Sequence, residues 1–249
     1  HRYSSAASDV YKRQDADAVL PNEYFTASES HHPESCGALV YPYKHSSDSG
    51  SEANNAIQQA TELYERSLQH YVNGLRYAGS PYAFQTLGST LCISAYYYAI
   101  VRGFPKRNAA EDFYILNKLQ KMGGVHSLTT PTVTLQSRLS NRAPFGTGVA
   151  VNKLLLSDDM YQETIFYHPT LFLLLRVLLN WFAQLTMASV QSSEFNWSCQ
   201  FNMYFSDHPE INEHRSAHKE LPDNFYIRLA NAMTNSLENQ GFSRCIQHC

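Results

Sequence analysis

Apolar residues recur every three or four positions along several stretches of the chain, a spacing typical of helices that bury one face. The longest such stretches are residues 52–77, 168–182 and 223–238. The second is the most apolar. Polar residues recur along one of its sides, so the pattern predicts a buried helix rather than a membrane span, which needs about 20 predominantly apolar residues. Residues 192–222 are polar with little periodicity, which predicts a loop.

Short apolar runs between turn residues predict the strands of a sheet. They cover residues 37–43, 84–94, 124–128 and 132–135, and the segment from Asp15 to Asp17 is predicted to end a further strand. Because strands alternate with helices up to residue 135 and helices follow, we predict an α/β sheet domain followed by a mostly helical part.

The first fourteen residues stand apart from the rest of the chain. Residues 1–14 have neither helical nor strand periodicity and resemble a translated sequencing adapter. We therefore expect them to pack poorly and leave them out of the predicted fold. On this interpretation the native sequence begins abruptly at Asp15, and the chain is a fragment.

Composition and charge narrow the classes of function. The net charge is −3 and the pI about 6.4, with Lys and Arg scattered, which argues against a nucleic-acid-binding protein. The five cysteines form neither a Cys-x-x-Cys zinc pattern nor a disulfide framework. We therefore predict a cytoplasmic protein, with peripheral membrane association as an alternative.

Two acidic clusters carry the candidate chemistry. Asn108 is predicted to cap a helix, which places Glu111 and Asp112 in its first turn, where the helix dipole favours negative charge. In isolation such a pair is better explained as a solvated first turn. A second pair, Asp15 and Asp17, lies far upstream at the end of a predicted strand.

If the two clusters converge, they suit the transfer of a sugar from a nucleotide donor. The leaving diphosphate must be neutralised, usually by a divalent cation held by hard oxygen ligands. The acceptor hydroxyl must lose its proton to a base on the opposite face of the sugar. An Asp-x-Asp pair suits the first task and a carboxylate at a helix start suits the second. Spacing alone does not prove that they meet.

The order of these motifs resembles that of family-2-type glycosyltransferases with a GT-A fold. Asp15-Ala16-Asp17-Ala18-Val19-Leu20-Pro21 is similar to the Asp-x-Asp segment of inverting members. Gly103-Phe104-Pro105, followed by Glu111-Asp112-Phe113-Tyr114, resembles their Glu-Asp motif. The resemblance covers about residues 15–148. It implies a nucleotide-sugar donor, a carbohydrate or lipid-linked acceptor, and Mg²⁺ or Mn²⁺.

The resemblance also implies roles for individual residues. Asp17 would hold the metal, and Asp15 would contact the donor sugar or its ribose. Asp112 would be the catalytic base, with Glu111 beside it. The pair Gly88-Ser89, within the predicted strand 84–94, resembles the segment that borders the acceptor; a bulge in the strand is the alternative.

Two arginines form a candidate clamp for the diphosphate of the donor. Arg138 and Arg142 precede the Gly-x-Gly sequence at residues 146–148, and guanidinium groups beside such a loop can bind phosphate. The alternative is a plain surface turn, because a Gly-x-Gly sequence alone is a weak signal.

The sequence departs from this family at its N-terminus, where the expected nucleotide-binding half has no counterpart. We therefore divide the chain into a leader (1–14), the C-terminal half of a GT-A domain (15–148) and a mostly helical extension (149–249). On this division we expect the fragment alone to be inactive, although its parent is an enzyme.

Two other classes of function compete with the transferase. One is a non-catalytic carbohydrate-binding or assembly domain that keeps the fold. The other is a glycoside hydrolase that uses Asp17 and Asp112 as its two carboxylates. A free nucleotide diphosphate among the products would exclude the hydrolase.

Overall fold

The computed structural model describes residues 10–13, 18–28, 36–46, 52–106, 110–137, 139, 146–184, 203–205 and 208–217. The chain divides into two compact units. The first comprises His1–Val72 and Phe84–Phe166, and the second Asn73–Ala83 and Tyr167–Cys249. The first unit has mixed α/β structure, and the described secondary structure of the second is helical, which confirms the predicted class.

The described strands all belong to the first unit. They are β1 (Val10–Arg13), β2 (Ala38–Val40), β3 (Tyr43–Ser46), β4 (Leu91–Ser94), β5 (Val125–Ser127) and β6 (Val133–Gln136). Short 3-10 helices lie at Asn22–Tyr24, Thr26–Ser28 and Gly88–Thr90.

The helices run from α1 to α7 in chain order. They are α1 (Glu52–Tyr77), α2 (Ala95–Ile100), α3 (Glu111–Met122), α4 (Thr147–Leu155), α5 (Met160–Glu163), α6 (Pro169–Gln184) and α7 (Pro209–Ala217). None of the helices in the described ranges is long and apolar enough to cross a membrane. The predicted helix at residues 223–238 lies outside those ranges.

The main sheet has the strand order β1-β4-β2-β5. Strand β4 is antiparallel to both β1 and β2, whereas β2 and β5 are parallel. Arg13 pairs with Leu91, Leu91 with Val40, and Val40 with Ser127, so these four residues form one row across the sheet. Strands β3 and β6 form a separate parallel pair.

Side chains from both faces of the sheet are buried. Leu39 and Cys92 pack in one cluster with Tyr24, Tyr41 and Val133. The neighbouring side chains along β2 and β4 point to the opposite face, because successive residues of a strand alternate, and they are buried as well. Burial on both faces explains why these short strands read as continuous apolar runs.

Helix α3 packs against β2, β5 and α2. It buries Ile115, Leu116 and Leu119, each fully. The helical spacing of the sequence also predicts Phe113 and Met122 on this face, but they are 48% and 55% exposed. The buried face of α3 therefore includes Ile115 but neither Phe113 nor Met122, and the prediction for those two residues is wrong.

In the second unit, the described part of α6 packs against α7. Thr170 Oγ1 lies 2.9 Å from His214 Nε2, and an Arg176 guanidinium nitrogen lies 3.4 Å from Glu210 Oε1. Because residues 209–217 form a helix, the prediction of a loop over residues 192–222 is wrong there. Only Ile211 of α7 is buried, so the helix leaves little apolar periodicity in the sequence.

Two further predictions of local structure are wrong. The predicted strand at residues 84–94 begins only at Leu91, because Thr90 N–H and Oγ1 both bind the Leu87 carbonyl, at 3.1 and 2.9 Å, and close a 3-10 turn. Helix α3 has Ala110 rather than Asn108 as its N-cap.

The sheet also begins earlier than predicted. Val10–Arg13 forms an edge strand paired with β4 along its whole length, so excluding these residues from the fold is wrong. Lys12 Nζ donates to the carbonyls of Tyr24 and Phe25, at 3.2 and 3.0 Å. The likeness of residues 1–14 to an adapter stays a prediction.

Candidate functional site

The row Arg13–Leu91–Val40–Ser127 crosses all four strands of the main sheet at one of their ends. We call this boundary, formed by strand ends, the Arg13–Ser127 edge. Strands β1, β2 and β5 end there and β4 begins there. In open α/β sheets, ligands bind outside the carboxyl ends of the strands. This edge is therefore where the predicted site residues would have to meet.

Asp15 and Asp17 lie outside the described residues, but both flanks of their segment are placed. On one side, Arg13 lies in the edge row opposite Leu91. On the other, Val19 pairs with Thr134 through hydrogen bonds of 2.8 and 3.0 Å. Strand β1, which precedes the segment that carries Asp15 and Asp17, therefore ends at the Arg13–Ser127 edge.

The Gly88-Ser89 pair lies next to the same point. Both residues belong to the 3-10 helix Gly88–Thr90, which contacts β1 and runs directly into Leu91 of the edge row. Gly88 is partly exposed, whereas Ser89 is buried. The sequence predicts this pair within a strand, and that prediction is wrong. The pair lies in a turn just before β4.

Glu111 and Asp112 are the first residues of α3. The other end of α3 lies at the start of β2, where Gly37 N–H donates to the carbonyls of Gly123 and Gly124 at 3.0 Å each. Helix α3 packs against β2 and β5, and its C-terminus lies at the end of the sheet opposite the Arg13–Ser127 edge, with the Glu-Asp pair at its other end. That this pair meets the Asp-x-Asp segment stays a prediction.

The start of α3 has an unusual backbone. Ala110 is left-handed, with φ 60°, and supplies no side-chain cap. Such a conformation is costly for a residue with a Cβ and is found most often at functional sites. The Phe113 N–H donates to Asp112 Oδ1 over 2.8 Å, so the Asp112 carboxylate satisfies one of the helix's unpaired N–H groups.

The candidate phosphate clamp is only partly described, because Arg138 and Arg142 lie outside the described residues. The Gly-x-Gly sequence that follows them starts α4 instead of forming a free loop. Gly146 is its N-cap with φ 106°, a backbone conformation that favours glycine.

A polar cavity of about 330 Å³ opens between the start of β3 and one side of α1. We call it the α1 cavity. Its lining side chains include Tyr43, Glu62, Glu65, Arg66, Gln69 and Gln85. The sequence reasoning missed these residues. Their only signal is a polar stripe at positions 62, 65, 66 and 69, which looks the same as a solvated helix face.

The electrostatics of the α1 cavity centre on Glu65. Its carboxylate accepts the backbone N–H of His45 at 3.1 Å and also contacts the His45 ring. Burial raises the pKa of Tyr43, and the nearby charge of Glu65 raises it further, so this hydroxyl stays protonated. Tyr43 therefore offers the cavity a ring and a neutral hydroxyl group.

Four buried side chains beside the sheet carry ionisable groups, two tyrosine hydroxyls and two cysteine thiols. Burial is the largest cause of the raised pKa values of Tyr24, Tyr41, Cys36 and Cys92, and the pKa of Tyr41 reaches about 12. These groups are protonated at neutral pH. They are structural residues of the core rather than candidates for proton transfer.

In the ranges that the structure describes, His, Cys, Asp and Glu nowhere form a group of three or more that could hold a metal ion. The predicted metal ligand, Asp17, lies outside those ranges. Comparisons with protein-family models, curated proteins and solved structures found no match for this chain.

Proposed function

We propose that this chain is part of an inverting glycosyltransferase that transfers a sugar from a nucleotide-sugar donor to an acceptor hydroxyl. The single observation that supports it best is that β1, which precedes the Asp-x-Asp segment, and the Gly88–Thr90 turn lie at the Arg13–Ser127 edge, while the Glu-Asp pair begins a helix whose other end lies at the opposite end of the sheet. Donor, acceptor and base must meet at one place for direct displacement. This arrangement is compatible with a meeting place at the Arg13–Ser127 edge.

In the proposed reaction, Asp112 takes the proton of the acceptor hydroxyl. The resulting oxygen forms a bond to the anomeric carbon from the face opposite the diphosphate, and the bond between that carbon and the diphosphate breaks. Glu111 would orient the acceptor or the helix start. The left-handed Ala110 beside this pair supports the assignment, because strained residues cluster where a side chain must be held in one place.

Asp15 and Asp17 would bind the donor, and Arg138 and Arg142 would contact its diphosphate. Bound Mg²⁺ or Mn²⁺ would supply the positive charge that stabilises the leaving diphosphate. Asp17 would be its ligand, because carboxylate oxygens are the hard ligands that these cations prefer. The donor nucleotide and sugar are not specified by any described residue.

The non-catalytic alternative also has an observation in its favour. Asp112 accepts the N–H of Phe113, which is what a purely structural carboxylate in a first helical turn does. The decisive experiment must therefore separate a base from a helix-capping group.

The test replaces Asp112 with Asn in the full-length protein. Asparagine keeps the side-chain size and caps helices about as well as aspartate, but it cannot take a proton. We expect Asp112→Asn to lower the transfer rate by about 10²–10⁴-fold with little change in donor affinity. Initial rates and donor titrations with and without Mn²⁺ measure both quantities.

Asp159→Asn is the matched control. Asp159 caps α5 by accepting the N–H groups of Tyr161 and Gln162, at 2.8 and 3.3 Å, and has no proposed catalytic role. It should leave the rate unchanged. If Asp112→Asn also retains a near-normal rate, Asp112 only caps α3 and the proposal fails.

Two further variants separate the remaining roles. Asp17→Asn should weaken donor binding and raise the metal concentration required, because it removes a charged ligand. Glu111→Gln should have the mildest effect of the three substitutions. An Asp17→Asn variant with the donor affinity and metal requirement of the unmodified protein would contradict the assignment of Asp17.

A further inference from the structure

We propose that the α1 cavity binds a neutral saccharide and holds the acceptor of the reaction. The first half of this inference rests on the cavity alone, and the second half rests on the proposed function. The cavity volume, about 330 Å³, lies at the lower end of the range for small-ligand pockets, which is about 300–1,000 Å³. It therefore suits a ligand of one or two sugar rings.

The lining of the cavity favours a ligand rich in hydroxyl groups. Glu62 and Glu65 supply acceptors, Arg66 supplies donors, and the carboxamides of Gln69 and Gln85 supply both. Sugar hydroxyls can donate and accept at once, so they can satisfy such a mixed set. Tyr43 adds an aromatic ring, which can pack against the apolar face of a sugar.

The charges in the cavity disfavour the other ligand classes. The lining carries two carboxylates and one guanidinium, so its net charge is negative. This negative charge repels a phosphate or carboxylate ligand. A divalent cation needs several oxygen ligands close together, and the described residues, including Glu62 and Glu65, form no group of three or more His, Cys, Asp or Glu that could hold one. A purely apolar ligand would leave the polar groups without partners.

The place of the cavity in the fold connects it to the proposed reaction. Tyr43 lies just beyond the end of β2, and the intervening Tyr41 donates its N–H to Thr90 at 2.9 Å. Gln85 lies three residues before Gly88 and donates to Gln69 over 3.4 Å. Short stretches of chain and the Tyr41–Thr90 hydrogen bond therefore connect the cavity to the Gly88–Thr90 turn, which the resemblance links to the acceptor. A sugar bound there could extend toward the Arg13–Ser127 edge.

The direct test titrates the unmodified chain with neutral saccharides and follows binding by saturation-transfer NMR and calorimetry. The probes are glucose, N-acetylglucosamine, maltose and chitobiose, with inorganic phosphate and Ca²⁺ at the same concentrations as the charged alternatives. We expect at least one saccharide to bind and neither ion to compete with it. Binding of none of the saccharides, or displacement by phosphate or Ca²⁺, would overturn the inference.

A matched pair of variants locates the binding. Gln69→Ala removes a lining carboxamide and should weaken the binding of that saccharide by about three- to tenfold, the usual value of one hydrogen bond. Gln59→Ala removes the same side chain from an exposed position on α1 that does not line the cavity, and it should change the affinity by less than about twofold. Equal effects of the two variants would place the saccharide elsewhere. Circular dichroism checks that both variants fold.

The same variants in the transferase assay separate this inference from the proposed function. If Gln69→Ala raises the acceptor KM without changing donor binding, the cavity is the acceptor site. If Asp112→Asn abolishes transfer but Gln69→Ala leaves the acceptor KM unchanged, the acceptor assignment fails and the transferase stands. If the saccharide binds in the cavity but no donor is turned over, the binding site stands and the transferase fails.

Discussion

Tyr41 illustrates how single residues hold the sheet to its surroundings. It is fully buried, its hydroxyl donates to the Tyr24 carbonyl at 2.7 Å, and the rings of the two tyrosines lie 4.5 Å apart. The same carbonyl accepts Lys12 Nζ from the edge strand β1. Tyr41 therefore links the end of β2 to the segment that follows the Asp-x-Asp residues.

We predict that Tyr41→Phe lowers the free energy of unfolding by about 0.5–1.5 kcal/mol, the usual net value of one hydrogen bond. The ring and its packing remain, and Lys12 still satisfies the Tyr24 carbonyl, so the cost should not reach that of an unsatisfied group. Urea denaturation measures it. Tyr161→Phe, at a side chain that is 64% exposed, is the control and should be neutral. A cost above about 3 kcal/mol would mean that the hydroxyl does more than bind Tyr24.

The sequence predicts individual residues well only where chemistry is local. It identifies Glu111 and Asp112 as the first turn of a helix, which the structure confirms. It does not predict that Ala110 is the N-cap, because alanine has no capping side chain and its left-handed backbone is imposed by its surroundings. The roles of both carboxylates stay predictions.

The junction of α3 with β2 depends on a close approach of two backbones. A Cβ at Gly37 would lie 2.8 Å from the Gly124 carbonyl oxygen and 3.0 Å from that of Leu119. Both atoms belong to the main chain and take part in ending α3. Glycine at residue 37 is therefore required by space and not by a turn.

We predict that Gly37→Ala destabilises the fold by about 1–3 kcal/mol, the usual cost of overpacking. The comparison variant is Gly123→Ala, whose Cβ would meet the ring of Tyr97, a side chain that can move away. It should cost less than Gly37→Ala. Thermal and urea unfolding measure both variants. An equal or larger loss in Gly123→Ala would show that the backbone contact of Gly37 is not the tighter one.

At the scale of elements, length and periodicity decide what the sequence predicts. Helix α1 is predicted with the bounds that it has, and α6 to within a few residues, because each presents a long, regular apolar stripe. The apolar pattern predicts a strand at residues 84–90, but these residues form no strand. The turn from Leu87 to Thr90 depends on two hydrogen bonds that the sequence pattern does not reveal. Helix α7 was missed because it buries a single side chain.

The neutral acids of the core affect the stability of the whole first unit. The pKa values of Tyr24, Tyr41, Cys36 and Cys92 are raised, chiefly by burial, so the folded state holds these protons more tightly than the unfolded chain does. Their contribution to stability is fully present below the ordinary pKa values of Cys and Tyr. It is lost as the pH rises from those values through the folded ones.

We predict that the free energy of unfolding falls steadily above about pH 9, where unfolded cysteines and then tyrosines begin to ionise. Urea denaturation at pH 8, 9, 10 and 11 measures this fall. In Tyr41→Phe the fall should be shallower, because one of the ionising groups is absent, whereas Tyr161→Phe should follow the unmodified chain. A free energy that stays constant up to pH 11 would contradict the prediction.

For the whole molecule, the sequence predicts the mixed α/β class, which the structure confirms, and a helical C-terminal part, of which only the described helices α4–α7 are shown. It predicts neither the strand order nor the α1 cavity. Both depend on residues that lie far apart in the chain, such as Tyr43 and Gln85. The identity of the fold as a GT-A half remains a proposal.

The parallel pairing of β2 with β5 and of β3 with β6 has a kinetic consequence. The stretch that contains β2 and β3 runs parallel to the stretch that contains β5 and β6 in both pairings. Tyr43, for example, pairs with Val133. Closing a loop of about ninety residues costs entropy before any contact repays it, and such non-local pairings slow folding. Strands β2 and β5 supply half of the Arg13–Ser127 edge. A nascent chain therefore cannot assemble this edge until β5 has been synthesised, whereas α1, which is synthesised well before β5, can form earlier than the proposed active site.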